Sequence, residues 1–297
     1  MPTLKDVQLK IQGVKKTQQI TKAMNMVATS RLRGAQTNME AFRPYALKFG
    51  EVLGSLAEKA GEGASPLLVP KAEVKKIHIV LCTSDRGLCG GFNINLTDKA
   101  KAFMAEKAAD GVSFSMTYFG KKGRDWGKKK GLDAVEAHIG VVGSRFGFNV
   151  ASTTGQKLVN GFLSDEYDEV YLVYSKFITL AKQLATVQQL LPIPAISVEG
   201  QTEAAADAPY QAEHICEPSP GELLGELLPR NIYVQLFSGL LETSTSEHAA
   251  RMMTMENATK ACKDMIAALT LTYNKARQSA ITAELMDIVG GAEALKG

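Results

Sequence analysis

The sequence of 297 residues has few of the features that mark several protein classes. Its four cysteines are widely spaced, apart from Cys82 and Cys89, which argues against a disulfide scaffold and indicates a reducing compartment. The longest stretch without charge, Gln183 to Val198, is 16 residues long, rich in Gln and interrupted by two prolines. A membrane-spanning helix needs about 18 or more apolar residues, so we expect no transmembrane segment. The N-terminus shows neither an apolar signal core nor an Arg- and Ser-rich presequence.

Candidates for catalysis and metal binding are also scarce. The four histidines lie far apart in the sequence, and none has an acidic or histidine partner at a useful spacing. Nothing around Cys82 and Cys89 completes a zinc site. The sequence therefore predicts no catalytic residue, no metal site and no cofactor site, although its 45% of apolar residues suffices for a sizeable core.

Charge is distributed unevenly along the chain. Residues 1–48 carry nine Lys or Arg and two acidic residues, whereas residues 196–228 carry seven acidic residues and no Lys or Arg. The formal net charge of +3 therefore hides a basic N-terminal arm on an acidic remainder. Such an arm suits nucleic acid, an anionic membrane or an acidic protein partner, and charge alone leaves these alternatives open.

The N-terminal 56 or so residues follow the pattern of one long helix. Steps of three and four from Leu4 to Phe42 meet nine apolar residues at 12 positions, a heptad typical of a coiled-coil seam. Three consecutive seam positions are polar, namely Gln18, Thr21 and Asn25. A polar layer of this kind lowers stability, but it can fix the register of the helices or mark where the seam meets another surface.

A second long helix is predicted at the C-terminus. It begins at Pro220, with Ser219 as the N-cap and Glu222 at the capping-box position. The same stepping, from Leu241 to Ala283, meets ten apolar residues at 13 positions, and the glycine pair at 290–291 ends the pattern. A globular domain cannot hide helices of this length, so we expect the two helices to pair antiparallel and to protrude.

The middle of the chain alternates between strand and helix patterns. The predicted strands are Lys76–Cys82, Ser113–Phe119, Glu169–Tyr174 and Ala181–Leu190, with helical patterns around residues 96–104 and 150–162. This alternation indicates an α/β fold, a central Rossmann-like domain with a mostly parallel sheet, beside the long coiled coil. The predicted organisation is a shaft helix over residues 1–60, a linker over 61–75, the α/β domain over 76–217 and a second shaft helix over 218–297.

A glycine-rich turn, SDRGLCGGFN at residues 84–93, follows the first predicted strand. Backbone N–H groups in such a turn can hold a phosphate. However, the Lys-Ser/Thr ending of a P-loop and the G-x-G-x-x-G spacing are both missing. We therefore favour a structural turn in which Gly87, Gly90 and Gly91 allow positive φ or close backbone approach.

Six basic residues surround Trp126 between positions 121 and 130. A stacking platform for nucleic acid is one interpretation, and a solvated helix or loop with an anchored Trp is the favoured one. Two alternative functions follow from these features. A basic coiled-coil adaptor or nucleic-acid-binding protein would show a steep salt dependence of binding. A nucleotide-dependent enzyme would lose nucleotide binding when Gly90 or Gly91 is changed.

Four sequence blocks together resemble one protein family. They are TQQITKAMNMVA at residues 17–28, SDRGLCGGFN at 84–93, EPSPGELLGELLPR at 217–230, and RMMTMENAT at 251–259 followed by YNKARQSAITAEL at 273–285. In this order they resemble the gamma subunit of the bacterial F-type rotary ATP synthase. The resemblance runs from the first residues to Leu295.

The resemblance implies that the terminal helices form the central rotor stalk, present in one copy per complex. It implies contacts with the alpha and beta subunits, which hold all the ATP chemistry, and with the epsilon subunit and the c ring. The chain would then be a non-catalytic subunit that binds no nucleic acid. It would couple ion-driven rotation of the c ring to ATP synthesis or hydrolysis. The expected location is the bacterial inner membrane, peripheral on the cytoplasmic side.

The resemblance also implies particular contacts with the alpha/beta head. Lys22 and Met24 are expected where the first helix passes the moving lobe of the beta subunits, and Arg251 at a coupling position on the second helix. The expected contacts at the top of the shaft are Arg277, Gln278, Thr282 and Glu284 with loops of the beta subunits, and Ile281 and Leu285 in a hydrophobic bearing.

Overall fold

The computed structural model describes residues 3–60, 65–108, 111–132, 134–194 and 219–294. Residues 196–218 of the acidic stretch at 196–228 lie outside these residues. In chain order the elements are α1 Leu4–Ala60, β1 Lys76–Cys82, α2 Phe92–Lys107, β2 Ser113–Phe119, α3 Lys121–Lys129, β3 Ala134–His138, α4 Phe148–Leu163, β4 Glu169–Phe177, β5 Gln183–Leu191 and α5 Pro220–Ala294.

The chain divides into two compact units. We call residues 3–29 with 251–294 the helix-pair unit, and the described residues between 30 and 250 the α/β unit. The division falls inside both long helices. The predicted domain limits at residues 60 and 218 therefore describe a different partition, and they stay a prediction.

The helix-pair unit is an antiparallel pair, as predicted. The Asn25 side-chain amide donates to the Met252 carbonyl oxygen at 2.9 Å. The Thr259 hydroxyl donates to the Thr21 hydroxyl oxygen at 2.8 Å. The residue number falls along α1 while it rises along α5, so the helices run in opposite directions. Both hydrogen bonds arise from the predicted polar layer, which bonds across the pair.

The predicted heptad of α1 matches the observed burial. Every seam position from Leu4 to Phe42 is buried or half-buried, whereas most other positions of that stretch are exposed. In α5 the seam positions are buried or half-buried as far as Ala280, but Ala283 is exposed, so the last step of the predicted seam is wrong.

The sequence predicts the start of α5 correctly but not its end. At the start the Ser219 N-cap is confirmed, because the Glu222 N–H donates to Ser219 Oγ at 3.3 Å. The return bond of a capping box, from the Ser219 N–H to the Glu222 side chain, stays a prediction. At the other end the helix continues through the glycine pair at 290–291 to Ala294, so the predicted end at those glycines is wrong. Glycine in a helix costs only about 1 kcal/mol relative to Ala, which weakens a helix without obliging it to stop.

The α/β unit holds one five-stranded sheet in the order β3-β2-β1-β4-β5. The three pairs β3–β2, β2–β1 and β1–β4 are parallel, and β4–β5 is antiparallel, so the expectation of a mostly parallel sheet is confirmed. Strand β1 is buried at every position except its first. Its nearly continuous apolar sequence is typical of a strand covered on both faces.

Alternate residues of β1 belong to two separate cores. Ile77, Ile79 and Leu81 pack in the cluster that includes α2 and Trp126 of α3. Val80 and Cys82 pack in the cluster that includes α4 and residues of α1 and α5 within this unit. The sheet is therefore the middle of three layers, with helices on both faces.

One element of the α/β unit, β3, was not predicted, and a second, α3, was predicted only as a helix or loop. Strand β3 is short, lies at the sheet edge and is mostly exposed, so its sequence AVEAH shows no apolar run. Helix α3 covers the basic run, for which a solvated helix or loop with an anchored Trp stays the favoured interpretation. Its Trp126 is half-buried, and Gly127 lies directly against the Tyr118 side chain.

Candidate functional site: the helix pair and its free end

The last part of α5 forms a free end. Ala280 is the last half-buried position, and every described residue from Ile281 to Ala294 is exposed. Five large apolar side chains lie here and are between 51% and 72% exposed, namely Ile281, Leu285, Met286, Ile288 and Val289. A row of exposed apolar groups of this kind is typical of a surface that contacts another molecule.

The predicted shaft-top residues lie on this free end and on the helical turn before it. Arg277, Gln278, Thr282 and Glu284 are all exposed. Residues three and four positions apart share a helix face, so Arg277 lies beside Ile281, and Gln278 beside Thr282. The Thr282 hydroxyl donates to the Gln278 carbonyl oxygen at 2.9 Å, which leaves its oxygen lone pairs as acceptors. The free end thus combines polar groups with apolar ones on neighbouring faces.

A groove of about 290 Å³ lies at the polar layer of the helix pair. Its lining residues are Gln18, Lys22, Asn25, Glu256, Thr259, Lys260 and Lys263. Three lysines against one glutamate make the groove positive, and the predicted contact residue Lys22 is one of them. Such a groove is suited to an acidic partner surface.

Met24 is half-buried and lies within an exposed apolar stripe that the sequence reasoning missed. Ile20 is 59% exposed and Val27 is 56% exposed. With Met24 they follow the spacing of one helix face. The sequence does contain a signal for this stripe, namely apolar residues that lie outside the heptad. An apolar side chain away from the seam has no helix partner to bury it.

Arg251 differs from the other predicted contact residues because it is buried, with 9% of its surface exposed. A buried guanidinium is ordinarily held by hydrogen bonds or an opposite charge. The expected role of Arg251 in contacting a partner stays a prediction, and its burial also gives it a place in the packing of the chain itself.

The glycine-rich turn connects β1 with α2. Gly90 has a φ of +60°, and Gly91 is the residue before the first turn of α2. A Cβ on Gly87 would meet nothing within 4 Å. Of the three glycines, Gly90 is therefore the one whose backbone conformation most favours glycine.

The polar groups around this turn bind one another. The Ser84 N–H donates to Asn93 Oδ1 at 2.9 Å, and Asn93 Nδ2 donates to Ser84 Oγ at 2.7 Å. The Asp85 carboxylate accepts the N–H groups of Lys121 and Gly140, both at 2.8 Å. The turn is thereby tied to the ends of two neighbouring strands, which is a structural use of these residues.

Within the described residues, no group of three or more His, Cys, Asp and Glu side chains is placed to hold a metal ion. Among the same residues, no helix is long and apolar enough to cross a membrane.

Comparisons with known proteins bear on the whole chain. A family model described as ATP synthase matches residues 3–295. An ATP synthase gamma chain from Desulfosudis oleivorans is 64% identical, and the match covers 100% of both chains. An ATP synthase gamma chain from Nitratidesulfovibrio vulgaris is 54% identical, again over 100% of both chains.

Solved structures show the same fold at lower identity. A chain from the Euglena gracilis mitochondrial ATP synthase, solved as OSCP/F1/c-ring, has a TM-score of 0.67 and 18% identity, covering 98% of this chain and 94% of that one. A chain from the Tetrahymena thermophila central stalk and c ring has a TM-score of 0.60 and 24% identity, covering 80% and 99%. Given the full-length matches to the family model and to the bacterial relatives, the chain belongs to the ATP synthase gamma chain family.

Proposed function

We propose that this chain is the central rotor stalk of a bacterial F-type ATP synthase. In this role it couples ion-driven rotation of a c ring to ATP synthesis or hydrolysis in an alpha/beta head. Family membership supports the proposal, and two proteins of the same fold are described as a central stalk with a c ring and as F1 with a c ring. In line with the names of its relatives, the chain is a non-catalytic subunit of the ATP synthase complex.

The observation that carries the proposal is the free end of α5. Its five large apolar side chains are more than half exposed in the chain alone. Full burial of one such side chain contributes about 1.5–3 kcal/mol, so a sleeve that encloses this end gains considerably from apolar contact. Apolar contact has no direction and lets a shaft turn within its sleeve, which suits a bearing.

Arg277 and Gln278 supply the directional contacts of the same end. The guanidinium is planar and has five donors, so it can hold a carboxylate or two carbonyl oxygens in a fixed geometry. Lysine cannot reproduce that geometry. We infer that Arg277, Gln278, Thr282 and Glu284 bond to loops of the beta subunits, while Ile281 and Leu285 lie in the apolar bearing.

Further along the helix pair, a basic groove and an apolar stripe form a second contact. Lys22 lies in the groove with Lys260 and Lys263, and Met24 lies between Ile20 and Val27. An acidic, partly apolar lobe of a beta subunit fits both features. Attraction between exposed charges is screened beyond about 10 Å at 0.1 M salt, so the lysines act at close range and guide the last step of approach.

We propose that the α/β unit contacts the epsilon subunit and the c ring. We also propose that each complex contains one copy of the chain. The proposed location is the cytoplasmic side of the bacterial inner membrane, where the chain is held peripherally through its partners. The proposed organisation keeps shaft helices over residues 1–60 and 218–297, a linker over 61–75 and a central domain over 76–217.

Native mass spectrometry on a tagged chain, purified gently from its own cells, tests the proposal. We expect one copy of this chain with three copies each of two larger, nucleotide-bearing subunits. A free monomer or a homodimer at low salt, with no such partners, would contradict the rotor assignment.

A variant pair tests the contacts at the free end. Arg277→Ala with Gln278→Ala should lower assembly yield or ATP turnover of the complex about tenfold, because arginine is enriched among the few residues that carry most of the energy of an interface. The isolated variant should remain folded, since both side chains are exposed. The control pair is Asn274→Ala with Lys275→Ala, which are also exposed on α5. Equal effects of the two pairs, or no effect of the first, would refute these contacts.

A further inference from the structure

The α/β unit contains a cleft of about 600 Å³ whose lining residues have no role in the proposed rotor function. Its walls come from α1, from the loop at residues 139–147 between β3 and α4, and from α5. Clefts of about 300–1,000 Å³ are the size that holds small organic molecules in proteins. An inorganic anion alone would leave most of this volume unfilled.

The charged side chains lining the cleft are of one sign. Arg31 lines it from α1 and Arg145 from the loop, and both are exposed. None of the described residues that line the cleft is Asp or Glu. In the described part of the chain neither arginine forms a salt bridge, whereas Arg124 pairs with Asp125 at 2.9 Å. The buried Glu247 carboxylate lies behind Gly143 and is not one of the lining residues. Two arginines with no carboxylate in the described lining favour an anion that carries more than one negative charge.

The loop that carries Arg145 is held in place by Gly143. The Gly143 N–H donates to Ser244 Oγ at 3.2 Å, and its carbonyl oxygen accepts from Arg31 Nη1 at 3.4 Å. Gly143 has a φ of +79°, and an added Cβ would clash with the Glu247 carboxylate. The position therefore requires glycine. The backbone two residues before Arg145 is thus fixed against α1 and α5, which pre-organises the arginine at the cleft wall.

The rest of the lining supplies both apolar surface and hydrogen-bonding groups. Phe146 and Leu241 offer apolar contacts, and Phe146 also packs against Phe237 with the ring centroids 5.7 Å apart. Ser244 and His248 add polar groups on the α5 side. This combination, a few polar groups and two cations on a partly apolar wall, is typical of sites that hold a charged head with an organic body.

We propose that this cleft binds a phosphate monoester of a small apolar or aromatic group. The phosphate lies between the guanidinium groups of Arg31 and Arg145, and the organic part lies against Phe146 and Leu241. The site is separate from the free end of α5 and from the basic groove of the helix pair. Binding of the ester to the isolated chain therefore does not depend on the rotor role.

Calorimetric titration of the full chain tests the proposal, with phenyl phosphate and inorganic phosphate as probes. We expect saturable binding of phenyl phosphate and at least tenfold weaker binding of inorganic phosphate. Arg31→Gln with Arg145→Gln should weaken phenyl phosphate binding at least tenfold, which corresponds to about 1.4 kcal/mol. Arg145→Gln alone leaves the Arg31 hydrogen bond to the loop intact, and it should also weaken phenyl phosphate binding.

The matched control is Arg33→Gln with Arg86→Gln, which removes the same charge from exposed arginines that do not line the cleft. It should leave binding within about twofold of the unmodified chain, because exposed distant charges are largely screened. Circular dichroism of each variant confirms that it is folded. Equal weakening by both pairs, equal affinity for the two probes, or no saturable binding to the unmodified chain would each overturn the proposal.

Discussion

Lowering the pH from about 7 to about 5 should destabilise the α/β unit through one buried histidine, His78. Its Nδ1 lies 2.7 Å from Ser115 Oγ and its Nε2 lies 2.9 Å from Thr117 Oγ1. The ring also packs against Tyr167 with the centroids 4.3 Å apart. Burial lowers the pKa of His78 from 6.5 to about 4, because the charged ring would lose its hydration.

The sign of the effect follows from proton binding. Between pH 6.5 and 4 the unfolded chain binds a proton at this ring and the folded chain does not, so acid favours unfolding. The stabilisation is complete above pH 6.5 and is lost as the pH falls towards 4. With one pKa unit worth about 1.4 kcal/mol, the loss is about 2 kcal/mol at pH 5 and approaches about 3 kcal/mol below pH 4.

Urea unfolding of the full chain at a series of pH values measures this loss. The sequence has a single Trp, at position 126 in the α/β unit, so its fluorescence reports this unit. The control is His78→Gln, which keeps hydrogen-bonding groups but does not titrate. The pKa of His138 is lowered by burial and that of Glu242 is raised by burial, and both contributions cancel in the difference between the two proteins.

We expect His78→Gln to be less stable than the unmodified chain at pH 7 and to lose about 2 kcal/mol less on going to pH 5. Parallel pH dependences of the two proteins would refute the reasoning. They would show that the ring of His78 takes up its proton in the folded chain, which its burial between two hydroxyl groups should prevent.

Two further predictions concern the polar layer and the glycine-rich turn. Thr21→Val alone should cost about 1 kcal/mol of unfolding free energy because the hydrogen bond that Thr259 donates to the Thr21 hydroxyl oxygen is lost, although the Thr259 hydroxyl keeps the Met255 carbonyl oxygen as an acceptor at 2.7 Å. Thr21→Val with Thr259→Val should be within about 0.5 kcal/mol of the unmodified chain. A double-mutant cycle by chemical denaturation measures this coupling, and strict additivity would count against the hydrogen bond. Gly90→Ala should cost about 1 kcal/mol because of its positive φ, whereas Gly87→Ala should be close to neutral. Equal unfolding midpoints for the two alanine variants would show that the turn tolerates either.

The coiled-coil part of the fold was predictable because its signal is local. The period of the apolar residues decides which side of a helix is buried, and the seam from Leu4 to Phe42 follows it at every step. The cap at Ser219 was predictable for the same reason, since it depends only on Ser219, Pro220 and Glu222, which lie within four consecutive positions. Strands β1 and β2 were predicted with their observed limits, because both are dense in β-branched and aromatic residues.

The features that escaped prediction depend on distant parts of the chain. The exposure of Ala283 depends on where α1 begins, because a heptad shows that a position suits a partner helix but not that the partner reaches it. Strand β3 exists because β2 offers it an edge, and its own residues carry little strand signal. Arg31 and Arg145 are 114 positions apart, and only the fold brings them to one cleft.

The same distinction explains why the candidate site was found from sequence only in part. A residue that packs within the chain belongs to the periodic pattern of apolar residues along its helix. A residue that contacts another protein can be apolar outside that pattern. Ile20 and Val27 are apolar where the heptad requires nothing apolar, and Ile281 and Leu285 are apolar where α1 no longer shields them. The exposed apolar residues of the helix pair are therefore stronger candidates for partner contact than its charged residues. Water stabilises an exposed lysine. A row of large apolar side chains, in contrast, is unfavourable in water, and a partner that covers the row removes that unfavourable free energy.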